Sequence, residues 1–277
     1  MKQIKILFIG YSDFFERRIY PSISKIKNLK IYTCSKSKKN TKTSRINFFD
    51  YKEALSQNYN FVYISLVNSL HFKIAKLALE MNQNVVVDKP LVTKFKEFQI
   101  LYKIAKKKKL ILIEGTFFTY HCLFSKIKKE NNNFDNLYDV EAVFHIPAKN
   151  KKKYKVKNLL QIDLDCMSDM SAYAIGLIKF FFKEKIVYRK IIKYFYKNKN
   201  LIKSFKLIIG FKKNKFLYGN FSFEKEYQSS ITLRFENKTI IIPHQAFALP
   251  NEKVHYFEKS ENVLKKIYIK DNLIKNF

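Results

Sequence analysis

"NVVVDKPLV", residues 84–92, decides how this chain folds. Three consecutive valines read as a β-strand buried on both faces, because a half-buried strand would alternate apolar with polar residues. An acid, a lysine and a proline follow at once. Proline cannot donate to a sheet ladder, so the strand ends here. It can also stabilise an unusual backbone, even a cis bond, that fixes the direction of the preceding lysine. Lys89 is therefore expected just beyond a buried parallel strand. In open parallel sheets that end is the mouth of the ligand crevice. The blander alternative is a solvated lysine at a strand end.

Outward from this strand, the first 118 residues alternate between two periodicities. Residues 4–9, 29–34, 61–66, 85–87 and 110–113 read as short apolar strands. Residues 14–27, 51–57, 69–81 and 93–107 read as helices, the last with Phe95, Phe98, Ile100, Leu101 and Ile104 facing inward. Regular alternation with apolar strands predicts a parallel sheet covered on both faces. After residue 118 the texture changes. Polar loops fall at 131–133 and 149–153, one apolar helix at 171–182, and strand-like runs joined by short turns between 186 and 269. The register of residues 201–209 stays open. These runs predict an antiparallel sheet in a second domain.

Composition narrows the classes. The chain has 277 residues, is 47% hydrophobic and carries a net charge of +31. That hydrophobic share suffices for a sizeable core. No apolar run reaches the ~18 residues a membrane helix needs. The N-terminus enters a short strand without a secretory pattern, so a cytoplasmic location is expected. Three dispersed cysteines give neither a disulfide framework nor a zinc spacing, and the five histidines form no metal motif. The charge raises nucleic acid as a partner. However, the lysines are spread along the whole chain, and abundant Lys, Asn, Ile, Phe and Tyr are what an AT-rich genome produces. Nucleic-acid binding is therefore kept as a rival and not as the main expectation.

The first turn, "FIGYSDFFERR" (residues 8–18), sits where a dinucleotide fold puts its glycine-rich loop. Gly10, Tyr11 and Ser12 are the candidate contacts for a pyrophosphate near the helix N-terminus. Ser12 and Phe15 stand where a second glycine and a small residue belong, so an ordinary strand–helix turn is the alternative. The second strand ends in "TCSKSKK" (residues 33–39), without the acid that usually meets the ribose of NAD. Ser35, Lys36 and Lys38 offer a hydroxyl and ammonium groups to a 2′-phosphate, which favours NADP(H) over NAD(H). Leu66, Asn68 and His71 follow the third strand. Asn68 either caps the next helix or meets a nicotinamide. His71 either lies on the helix surface or lines the same cleft. An ammonium such as Lys89, held near a carbonyl, could polarise it during hydride transfer.

Residues 61–97, "FVYISLVNSLHFKIAKLALEMNQNVVVDKPLVTKFKE", resemble the second half of the cofactor domain in the Gfo/Idh/MocA (glucose–fructose oxidoreductase / inositol dehydrogenase) family. Asp88, Lys89 and Pro90 stand at the family's Glu-Lys-Pro motif, and Asn68 and His71 at its Asn-x-x-His. The resemblance continues through "EGTFFTYH" (residues 114–121). It reaches "SDMSAYAIGLIKFF" (residues 168–181), where Asp169 and Tyr173 match an Asp-x-x-x-His/Tyr signature. Four residues apart, they share a helix face; a tyrosine packed in a core is the alternative reading of Tyr173. Tyr227 and "AFALP" (residues 246–250) are similar to the branch acting on nucleotide-linked sugars.

The resemblance implies an α/β chain. Residues 1–118 would form a Rossmann-type doubly wound parallel sheet. Residues 119–277 would form an α+β substrate and oligomerisation domain with an open, mainly antiparallel sheet. It further implies an NAD(P)-dependent oxidoreductase acting on a keto-sugar or nucleotide-linked sugar. Asp88 and Lys89 would lie at the cofactor, Tyr173 would exchange the proton, and Asp169 would position the substrate. A homo-oligomer is implied in the same way. Two departures keep a binding-only relative in view: the eroded glycine turn, and the end of the chain at "KDNLIKNF" (residues 270–277), which looks like a shortened last helix.

Overall fold

A computed structural model describes residues 3–12, 15–36, 46–147, 165–197, 200–247 and 253–270. The chain divides into two compact units, Met1–Gly115 and Thr116–Phe277.

The first unit is a five-stranded parallel sheet. Its strands are β1 (Ile4–Ile9), β2 (Leu29–Cys34), β3 (Phe61–Ile64), β4 (Val85–Asp88) and β5 (Leu112–Gly115), in the order β2-β1-β3-β4-β5. Every pairing is parallel. Leu7, Ile9, Val62, Ile64, Val85 and Val87 are almost completely buried. That burial is what the continuous apolar runs predict for strands covered on both faces. The helices are α1 (Tyr20–Ile23), α2 (Tyr51–Leu55), α3 (Asn68–Glu80) and α4 (Phe95–Lys108).

Two helical expectations need correction. Residues 14–27 do not form one helix. Among the described residues, Phe15–Ile19 is a π-helical turn, and α1 restarts with Pro21 in its first turn. Proline lacks the N–H that a continuous helix would need at that point, but suits a helix start. In α4, Phe95, Phe98 and Ile100 are 72%, 37% and 42% exposed, not inward. The helix carries two apolar stripes. Leu101 and Ala105 take the core side, while Phe95, Phe98 and Tyr102 stack on one another outside, with ring centroids 6.1 and 5.9 Å apart.

The second unit is built on an eight-stranded sheet of order β13-β12-β11-β10-β6-β9-β8-β7. Its strands are β6 (Leu137–His145), β7 (Ile186–Phe195), β8 (Ile202–Phe211), β9 (Lys215–Ser222), β10 (Gln228–Phe235), β11 (Thr239–Ile242), β12 (Lys253–Ser260) and β13 (Val263–Lys270). Among the described residues of this unit, only β6 and β9 pair in parallel; the other ladders are antiparallel. The stretch whose register the sequence left open is β8, with Leu207 opposite Gly219. Two helices, α5 (Cys122–Glu130) and α6 (Cys166–Phe181), pack on one face. Asp165 starts α6 by accepting the Ser168 N–H at 2.8 Å, and its other oxygen accepts the Ile202 N–H at 2.8 Å.

A buried lysine holds the entry to β6. Asn132, Asn133 and Phe134 all have positive φ (44°, 55° and 70°). Asparagine tolerates that region; phenylalanine is strained there. The Phe134 ring offsets the strain by packing on Phe180 and Phe181, with centroids 5.6 and 4.8 Å away. Lys215 Nζ then donates to the Phe134 and Asp135 carbonyls at 3.3 and 3.0 Å and pairs with Glu184 at 2.9 Å. Burial alone would raise the Glu184 carboxyl, but Lys215 and backbone N–H groups outweigh it and bring it below its ordinary value of 4.5. A depressed carboxylate stabilises the fold above its unfolded pKa and loses that contribution as pH falls through the folded value. Lys215→Met should therefore cost about 2–4 kcal/mol near neutral pH by urea unfolding. The gap to the unaltered protein should narrow as pH drops below about 4.5.

Candidate active site

In an open α/β sheet the ligand crevice lies where strand order reverses, here between β1 and β3. The residues just beyond those strands meet there. Gly10 has φ +92°, and a Cβ on it would stand 2.2 Å from the Ser65 carbonyl oxygen. Only glycine lets the turn after β1 lie against the turn after β3. Ser12 closes the same turn. Its Oγ accepts the Phe15 N–H at 3.0 Å and lies 2.7 Å from Ser65 Oγ.

Phe15 does not push the helix away from the sheet. Its ring is fully buried among Phe8, Tyr11 and Tyr20, with centroids 4.4, 5.1 and 5.9 Å away. Phe8, Tyr11 and Tyr63 form one buried cluster with it.

Asp88, the last residue of β4, ends a chain of hydroxyls. It accepts the Tyr63 hydroxyl on one oxygen and the Ser65 hydroxyl, at 2.7 Å, on the other. With Ser65 Oγ donating to Asp88, Ser12 Oγ supplies the proton of its contact with Ser65, so donation runs from the Phe15 N–H through Ser12 and Ser65 to Asp88 as final acceptor. Burial pushes the Asp88 carboxyl up, against the Ser65 and Tyr63 hydroxyls and the nearby Lys89 ammonium. Burial and the neighbouring Asp88 likewise push the Tyr63 phenol up, so it remains a donor.

Lys89 follows directly, on a cis Lys89–Pro90 bond. The residues after it are fixed from two sides. His71 is completely buried, with Nδ1 2.7 Å from the Pro90 carbonyl oxygen and Nε2 3.0 Å from that of Leu66. Glu114 accepts the Leu91 N–H at 2.9 Å. His71 therefore ties the turns after β3 and β4 together and is not a surface residue of α3. Asn68 does not cap α3: it is the first helical residue, and the cap position belongs to Val67.

At the end of β2, Ser35 is 4% exposed, and its N–H donates to the Phe48 carbonyl at 3.1 Å. Lys36 is half-exposed; Lys38 lies outside the described residues. In the second unit, Asp169 and Tyr173 share one face of α6 and are both half-buried. The Tyr173 ring is boxed by Phe118, Phe144 and Phe247 at 5.9, 5.0 and 5.2 Å. Gly176, one turn on, lets α6 approach Phe118; a Cβ there would be 3.0 Å from its ring.

Comparison with known proteins adds the family. Residues 4–116 match the GFO_IDH_MocA model, described as an oxidoreductase family with an NAD-binding Rossmann fold. These residues are similar to the cofactor domain of that family. The Gfo/Idh/MocA resemblance expected from residues 61–97 is thus borne out, and the domain is an NAD(P)-binding Rossmann fold.

A curated relative, dTDP-3,4-didehydro-2,6-dideoxy-alpha-D-glucose 3-reductase of Saccharopolyspora spinosa, is 24% identical over 156 residues. That match covers 53% of this chain and 47% of the relative, about half its length. Among solved structures, the 3-ketoreductase KijD10 of Actinomadura kijaniata, complexed with NADP and TDP-benzene, superposes with a TM-score of 0.83 at 16% identity, covering 98% of this chain and 86% of that one. The WlbA dehydrogenase of Chromobacterium violaceum, complexed with NADH and UDP-GlcNAcA, gives 0.73 at 13% identity, covering 92% and 77%. The expected α/β fold, with its parallel and mainly antiparallel sheets, is shared across nearly the whole chain.

Tyr63, Ser65, Glu114 and Asp50 were not singled out from sequence. Tyr63 and Ser65 were recoverable: two apart, in β3 and just past its end, both reach Asp88, and their hydroxyls interrupt an otherwise apolar run. Glu114 carries no local signal; Asp50, directly before the helix read at 51–57, was recoverable only as its N-cap.

Proposed function

We propose that this chain is an NAD(P)-dependent oxidoreductase that transfers hydride between nicotinamide and the carbonyl carbon of a nucleotide-linked keto-sugar. The observation that carries the reading is Lys89 at the carboxyl end of β4, with His71 and Glu114 fixing the residues that follow it. A nicotinamide dinucleotide would bind at the crevice beside Gly10, whose lack of a Cβ lets the turns after β1 and β3 lie together. Gly10, Tyr11, Ser12, Leu66 and Asn68 would line it, and Lys36 would meet a 2′-phosphate, favouring NADP(H). When bound, nicotinamide supplies the hydride and its two electrons. Lys89 holds an ammonium at the carbonyl oxygen and stabilises negative charge as it develops. Tyr173 gives that oxygen its proton, and Asp169 positions the sugar. Asp88 and the Ser12–Ser65 hydroxyls hold the strand end that bears Lys89. The names of the relatives, a dTDP-sugar reductase and enzymes complexed with TDP- and UDP-linked compounds, support the nucleotide-linked class.

Titration with NADPH and NADH, followed by turnover with dTDP- and UDP-linked keto-sugars, tests this reading. Binding with a Kd below about 0.1 mM and cofactor oxidation on adding one of those sugars are expected. Absence of binding at millimolar cofactor would overturn it. A second reading, nucleotide binding without turnover, is favoured by the π-helical first turn and by the Phe15 N–H being taken by Ser12. NADPH binding with no oxidation by any such sugar would select it.

A further inference from the structure

At the carboxyl end of β2 the sequence offers no acid, yet the fold brings one there. Phe48 bridges to Cys34 in parallel, and the backbone of residues 47–48 bonds to Thr33 and Ser35. The Thr33 N–H donates to Asn47 Oδ1 at 2.9 Å, and Cys34 Sγ donates to the Asp50 carbonyl at 3.5 Å. The start of α2 is thereby laid along the strand end. Asp50 is its N-cap: Oδ1 accepts the Lys52 and Glu53 N–H groups at 2.8 and 3.1 Å. The other oxygen is 3.7 Å from Lys36 Nζ, which also lies 4.5 Å from the Tyr51 ring centroid. The Lys36 and Asp50 side chains are each 54% exposed. One ammonium and one carboxylate thus share the strand end at which dinucleotide folds read the adenosine ribose.

We infer that Asp50, delivered by α2 instead of by β2, is the residue that sets the balance between NADH and NADPH, by accepting the ribose hydroxyls of one and holding Lys36 back from the 2′-phosphate of the other. The inference rests on a dinucleotide occupying the crevice. The two charges act in opposition. The carboxylate hydrogen-bonds a 2′-hydroxyl and repels a 2′-phosphate; the ammonium does the reverse. Because they form a loose, exposed pair, neither is committed to the other. The chain should therefore favour NADPH only modestly, and removing one charge should release the other.

Direct titration of the full chain with NADPH and NADH at fixed salt, for the unaltered protein, Asp50→Asn and Lys36→Gln, tests this. Asparagine caps a helix as well as aspartate, so Asp50→Asn removes the charge and keeps α2. It should raise the ratio of the NADH Kd to the NADPH Kd by at least about fivefold, and Lys36→Gln should lower that ratio by a similar factor. Lys36 caps nothing, so its variant keeps the question open to test even if Asp50→Asn proves unstable. A ratio within about twofold of the unaltered protein in both variants, with both cofactors still binding, would overturn the inference and leave the oxidoreductase reading intact. Failure of the unaltered protein to bind either cofactor would remove both.

Discussion

Tyr173→Phe and Lys89→Met should each lower kcat for keto-sugar reduction by about 10²–10⁴ while changing the NADPH Kd less than about threefold. The two losses have different origins. Phenylalanine keeps the ring and hence the box of Phe118, Phe144 and Phe247. What disappears is the hydroxyl and its proton. Methionine keeps much of the lysine's length and removes the charge that would stabilise a developing alkoxide. Neither change touches the Gly10–Ser65 contact or the Ser12 closure that shape the cofactor crevice. Steady-state kinetics with a nucleotide-linked keto-sugar, beside cofactor titration, separates the effects. An equal loss of cofactor affinity in both variants would mean that the residues act through structure.

The second large effect concerns stability. Gly10→Ala should destabilise the first unit by roughly 3 kcal/mol or more. That corresponds to a Tm lower by about 10 °C or more. A positive φ of 92° is itself costly for alanine, and the new Cβ would lie 2.2 Å from a backbone oxygen. No side-chain rotation relieves a backbone contact. The Ser65 oxygen cannot move independently, because the Ser65 N–H donates to the Ile9 carbonyl and the Gly10 N–H to the Cys34 carbonyl. The β1, β2 and β3 ends would have to part together. A Tm within about 2 °C of the unaltered protein would show that the turns do not approach so closely.

The fold was legible where burial dictates composition. Continuous valine and isoleucine runs announced strands covered on both faces, and "VDKP" announced where one of them stops. The first helix was misread because Pro21 lies inside an apolar pattern, and α4 because its apolar residues fall on two stripes of which only one can reach the sheet. Phe15 was legible as a departure from a glycine-rich turn. Its accommodation was not, since that depends on Phe8, Tyr11 and Tyr20 converging from separate positions. Lys89, Asp88 and His71 were marked by spacing. The Asp50–Lys36 pair was invisible, because an acid fourteen residues beyond Lys36 becomes its neighbour only when α2 folds back along β2. The absence of an acid in "TCSKSKK" thus pointed to NADP(H) without accounting for a carboxylate delivered from elsewhere.

The most direct test of the whole account is a single-turnover experiment with NADPH carrying deuterium at the nicotinamide C4 position and a dTDP-linked 3-keto-sugar. Deuterium is expected on the sugar carbon that bore the carbonyl, at a rate abolished by Tyr173→Phe and Lys89→Met. NADPH bound by the protein but left unoxidised by every dTDP- or UDP-linked keto-sugar offered would contradict it.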